Sequence, residues 1–80
     1  MIRYAVVIER AGANYSAFAP DVAGCLATGE TLDEVREQLR EALEFHLEGM
    51  RAAGLAIPEL TTLVDCAEVE EPTTLAAARR

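Results

Sequence analysis

The sequence has no tryptophan, two phenylalanines, two tyrosines, two cysteines and one histidine among its 80 residues. Each shortage removes a class of answers. Few large side chains are available, and alanine supplies much of the apolar content. A domain of this size then builds only a limited core, which makes self-association an expectation from composition alone. Cys25 and Cys66 are too few and too far apart for a disulfide framework, and neither belongs to a C-x-x-C pair. His46 has no second histidine beside it, so a zinc site lacks its ligand set, and neither metal nor cofactor is expected. The opening stretch MIRYAVVIER lacks the long apolar core of a secretory leader, and no run approaches the length of a membrane span. These absences point to a cytoplasmic protein with reduced thiols and no membrane partner.

Cations are scarce as well. Seven basic residues against fourteen acidic ones give a formal charge of −7 and a pI near 4.5. Such a field repels phosphate backbones, so direct nucleic-acid binding by the folded surface is not expected. The same field attracts a basic protein partner and speeds the encounter.

What is present is a clear succession of periods. Residues 2–9 alternate, with Ile2, Tyr4, Val6 and Ile8 on one face, which predicts a strand. The turn residues AGAN lead into a second strand, Tyr15 to Ala19, stopped by Pro20, and the two form a hairpin. Gly24 permits a sharp return into a third short strand, CLAT, which Gly29 ends. Thr31 and Glu34 have capping-box spacing, and Asp33 and Glu34 add negative charge to the first helical turn. From there Leu32, Val35, Leu39, Ala42, Leu43, His46 and Met50 recur at steps of three and four, predicting a helix over 31–53 that Gly54 terminates. After the connector LAIPEL, residues 62–69 (TLVDCAEV) read as a final strand, and TTLAAARR as a frayed helical tail.

The expected fold is therefore α+β: β-β-β-α-β, a mixed four-stranded sheet in the order 3-2-1-4 with one long helix on one face. A right-handed crossover makes the last strand parallel to the first. That order places Cys25 and Cys66 on opposite edges, where they do not pair. Residues 1–71 form one domain and 72–80 a short tail.

Chemistry is harder to find. Glu9, Asp21 and Asp65 are the acidic side chains near strand ends, the positions a metal-dependent nuclease would use, but no histidine accompanies them. A nucleophilic Cys25 would need His46 as its base, and His46 falls on the apolar stripe of the helix. Cys25 reads instead as a small buried hydrophobe and His46 as a partly buried structural residue. No catalytic residue is assigned.

The stretch FAPDVAGCLATGETLDE, with EALEFHLEGM behind it, resembles the HicB-like antitoxin family over residues 4–59. The first piece matches that family's F-P-D-x-P-G-C pattern followed by a G-x-T-x-x-E helix start. Gly24, Cys25, Gly29, Thr31 and Glu34 are its structural positions here. Ala23 stands where the pattern has proline, which loosens the turn. The resemblance implies a partial ribonuclease H fold and no enzymatic activity. It also implies a small basic partner: a HicA-like toxin that cuts messenger RNA and is neutralised by covering its active site and RNA surface. Asp21, Glu68, Glu70 and Glu71 are the candidate toxin contacts. Many members carry a C-terminal DNA-binding domain, and nothing of that kind is expected in this chain. The expected assembly is a homodimer or a dimer of dimers. Two alternatives remain: a residual nuclease using Glu9, Asp21 and Asp65, and a stand-alone homo-oligomeric module with an unknown protein partner.

Overall fold

The computed structural model describes residues 1–72. Three strands and one helix follow one another: β1 (Val7–Ala11), β2 (Asn14–Phe18), β3 (Leu26–Gly29) and α1 (Leu32–Ala52). The strands form an antiparallel meander in the order β1-β2-β3. Gly12 and Ala13 are the two-residue connection between β1 and β2, since Ala11 pairs with Asn14. Registers Ile8↔Ala17 and Ala17↔Ala27 align one row of small and branched side chains across all three strands.

The helix lies on that row. Val35 and Leu39 are its buried residues, and they join Ala17, Ala19, Val22 and Cys25 in the core. Tyr4, Ile8, Tyr15, Ala27, Ala42 and Leu43 pack around this centre. Close approach is possible because Gly29 has no side chain. A Cβ at that position would lie 2.7 Å from the Val35 amide nitrogen and 3.0 Å from its Cα, closer than packed atoms tolerate. Gly29 is thus where β3 and α1 touch backbone to backbone.

Local chemistry sets both ends of α1. The Thr31 hydroxyl accepts from the Glu34 amide at 3.1 Å, and the Glu34 carboxylate accepts from the Glu30 amide at 3.0 Å. The glutamate therefore reaches one residue further back than the usual box, onto the amide of Glu30 just before the Thr31 cap. At the other end, Leu55 donates to Met50 O (2.9 Å) and Gly54 donates to Arg51 O (3.0 Å), the paired bonds of a Schellman stop. On the outer face Arg40 pairs with Glu37 and, at 2.9 Å, with Glu44.

Two expectations are corrected here. The first strand begins at Val7 rather than Ile2; residues 2–6 run beside the body outside the ladder, and the Tyr4 hydroxyl donates to Pro58 O at 2.6 Å. The larger correction is the missing fourth strand. Residues 62–69 are not a strand, so the four-stranded 3-2-1-4 sheet is absent, and with it the partial ribonuclease H arrangement. The reason is local. Thr62, where that strand was to begin, gives both its amide and its hydroxyl to Asp21 instead of to a ladder. Beyond it, strand-forming side chains have no neighbouring strand to pair with, and propensity without a partner does not make a sheet. Cys66 is consequently not on a sheet edge opposite Cys25 as expected; the two are free thiols, Cys25 buried and Cys66 exposed. The helical tail expected over TTLAAARR lies outside the described residues.

Without that strand the chain is long rather than round. Its radius of gyration is 17.1 Å and its longest extent 58 Å. A compact chain of this length would have a radius of about 12 Å. The difference is an arm, residues 59–72, leaving the body.

Candidate functional site

The loop between β2 and β3 makes two successive turns. Val22 donates to Ala19 O at 3.0 Å and Cys25 donates to Val22 O at 3.3 Å. Val22 is driven inward to 1% exposure and plugs the core from below the sheet ends, with Ala19 and Cys25 beside it. Gly24 sits at φ 80°, in the left-handed region that a side chain disfavours, and so turns the chain back toward β3. Burial pushes the Cys25 thiol up, away from the thiolate that a nucleophile requires. His46 is half-buried on α1.

With Val22 pointing in, Asp21 points out, and it closes a long-range staple. Its Oδ2 accepts from the Thr61 and Thr62 amides at 3.0 and 3.1 Å. Its Oδ1 accepts from the Thr61 and Thr62 hydroxyls at 2.8 and 2.6 Å. A carboxylate offers about four lone-pair positions, and here the two threonines occupy all of them. The hydroxyl bonds to Thr62 and Thr61, helped by their amides, stabilise the charged form and hold the Asp21 carboxyl at about 2. Tyr4 and Pro58 make the second tie, so the connector is fastened to the body at two points before the arm departs.

Past Thr62 the side chains are free of the body. Leu63, Val64 and Val69 are exposed, as are Glu68, Glu70 and Glu71. Between residues 52 and 72 there are five acidic residues (Glu59, Asp65, Glu68, Glu70 and Glu71) and no arginine or lysine. The structure thus links Asp21 to the root of the segment that carries Glu68, Glu70 and Glu71. It does not gather Glu9, Asp21 and Asp65: among the described residues, no group of three or more His, Cys, Asp or Glu is placed to hold a metal ion. Asp65 instead accepts from the Cys66 amide at 2.7 Å. The nuclease alternative loses its site.

Val22, Thr61 and Thr62 carry this geometry without having been singled out in the sequence. A lone branched apolar residue inside a polar, glycine-containing loop was a usable signal for Val22. Nothing local marks Thr61 and Thr62 as partners of a residue 40 positions away. No described helix is long and apolar enough to cross a membrane.

Residues 4–76 match the family described as HicB-like antitoxin of bacterial toxin–antitoxin systems. A protein of 14.9 kDa from the rep-hol intergenic region of Haemophilus phage HP1, itself uncharacterised, is 43% identical over 47 residues, 59% of this chain and 35% of its own length. A UPF0150 protein of Synechocystis is 31% identical over 62 residues, 76% of this chain and 78% of that one. A UPF0150 protein of Helicobacter pylori is 36% identical over 50 residues, 62% of this chain and 69% of that one. The match thus spans about a third of the phage protein and most of the other two. No solved structure matches the chain. The chain belongs to the HicB-like antitoxin family, one half of bacterial toxin–antitoxin systems.

Proposed function

We propose that this chain neutralises a small basic HicA-like toxin by covering the toxin's active site and messenger-RNA surface, in the cytoplasm and as a homodimer or dimer of dimers. The observation that carries the reading is the cation-free acidic arm. A segment with five carboxylates and no arginine or lysine, exposed and, among the described residues, tied to the body at its root alone, mimics the charge of the RNA that a basic ribonuclease binds. Glu68, Glu70 and Glu71 are the contacts. Asp21 contributes by fixing where the arm starts, because its acceptor positions are already taken by Thr61 and Thr62.

The experiment is capture of the tagged chain from its native cells at low and high salt, with intact-mass analysis of what is released. A small basic protein eluting as salt rises supports the reading, since exposed charge pairs are screened over roughly 10 Å at 0.1 M salt. With that protein in hand, the triple variant Glu68→Gln, Glu70→Gln, Glu71→Gln should bind more slowly and lose most of its salt dependence. Unchanged association and unchanged protection of RNA in the triple variant would remove the arm from the toxin interface.

A further inference from the structure

Two apolar hollows open side by side along α1. The larger, about 440 Å³, lies between the N-terminal segment and the helix, with Tyr4, Val6, Leu39 and Leu43 in its walls. The smaller, about 360 Å³, continues it toward Arg51 and Ile57. Ile2, Glu44 and Leu47 belong to both, so the two form one groove. From Arg36 to Arg51 it follows the helix for about 22 Å, at 1.5 Å of rise per residue.

The groove is basic although the protein is acidic. Arg3, Arg36, Arg40 and Arg51 line it together with the Met1 end of the chain, against Glu44 and Glu48. Arg36 and Arg40 are engaged by Asp33, Glu37 and Glu44, whereas Arg3 and Arg51 take part in no ion pair among the described residues. Such walls suit an extended segment that carries both apolar side chains and negative charge. A cationic protein face is a poor occupant, because four arginines would meet it.

The arm has the required chemistry. Leu63, Val64 and Val69 are 94%, 73% and 83% exposed, which leaves three branched apolar side chains with almost nothing against them. Asp65 and Glu68 lie between them in sequence, and no cation interrupts. Extended, residues 63–69 reach about 20 Å, the length of the groove. The molecule therefore carries an unfilled apolar slot with a basic rim and an uncovered strip in which apolar and acidic side chains mix, on the same chain.

We infer that residues 63–69 of one copy lie in the α1 groove of a second copy, the two chains exchanging arms reciprocally about a twofold axis. An isologous exchange covers both unpartnered surfaces at once and closes at two chains. Leu63 and Val64 fill the slot beside Leu43 and Leu47. Glu70 and Glu71, beyond the exchanged stretch, stay in solvent. The inference rests on the dimer of the proposed function and deepens it; Glu68, inside the exchanged stretch, becomes a groove contact, while toxin capture through Glu70 and Glu71 is tested separately and fails separately.

The test uses the full chain by itself. Sedimentation equilibrium over a wide concentration range is expected to show a concentration-dependent rise to twice the 8.6 kDa chain mass. Leu63→Asp should weaken that association by about a hundredfold with the helical circular-dichroism signal unchanged, as for a buried anchor at the centre of a small interface. To show where the arm lies, Leu47→Cys is oxidised mildly so that it can couple with native Cys66, with Cys66→Ser in the same background as control. Glu48→Cys at the rim serves as a second position should Leu47→Cys disturb folding. A covalent dimer dependent on Cys66 supports the exchange. A chain that stays monomeric at every concentration overturns it. So does a disulfide formed within one chain, which means that the arm closes on its own groove, and so does a dimer indifferent to Leu63→Asp.

Discussion

The body, residues 7–52, and the arm, residues 59–72, belong to one chain and are held by different forces. In the body each element fits the next: an apolar row on three strands, a helix whose Val35 and Leu39 sit on that row, and a glycine that lets the two backbones meet. No single interaction dominates there. Among the described residues the arm is fixed by one carboxylate and one tyrosine at its root and by no hydrogen bond to the body further along. The contrast separates what folding needs from what is left over for binding. Where apolar side chains find neighbours, local signals and packing agree; where they do not, the same kinds of residue stay in water and wait for another surface.

Substitutions can break or sharpen this contrast. Leu39→Ala should have the largest effect, lowering body stability by about 3 kcal/mol, as buried leucine truncations do, and denaturant unfolding followed by circular dichroism measures it. Gly29→Ala should cost about 2 kcal/mol by forcing β3 and α1 apart, an overpacking effect visible in the same experiment. Thr31→Ala removes the cap from α1 and should cost about 1 kcal/mol, with Thr31→Ser largely restoring it. Asp21→Asn should scarcely move the unfolding of the body yet should abolish protection of the Thr61 and Thr62 amides in hydrogen exchange. If that variant instead melted the body, arm and body would be one cooperative unit and the contrast would fail.

Acid offers a milder version of the last change. The Asp21 carboxyl is held at about 2, below its ordinary value of 3.8, so its charged form is favoured by the folded chain. The stabilisation it brings is complete above pH 4 and is lost as pH falls through about 2. Amide shifts of Thr61 and Thr62 should titrate together near pH 2 by NMR while the resonances of Val35 and Leu39 move less.

Much of the body was legible in the sequence. The helix forecast over 31–53 occupies Leu32–Ala52, because its start and stop are written in side chains within a few residues of each end. The hairpin and the third strand were legible for the same reason. The fourth strand was not there to be found: TLVDCAEV has the residue types of a strand, but a strand exists only beside another, and Asp21 takes the donors of Thr62 first. Of the candidate site, the carboxylates at 68, 70 and 71 could be read as acidic and exposed. That Asp21 is the arm's anchor depends on two threonines far along the chain, and no window of local sequence contains both halves of that contact.

The small core has a consequence for how long the protein lasts. Among the described residues its fully interior side chains are two alanines, two valines, a cysteine and a leucine. So little apolar surface leaves water on folding that the heat-capacity change is small and the unfolding transition broad. A core of this size predicts more frequent opening of the isolated chain than of a larger domain, and proteases act on an open form in proportion to its population. Any protein that grips only the folded state, a toxin or a second copy, withdraws it from that fate by mass action. Abundance inside a cell would then track occupancy, with the unbound antitoxin being the form that is cleared.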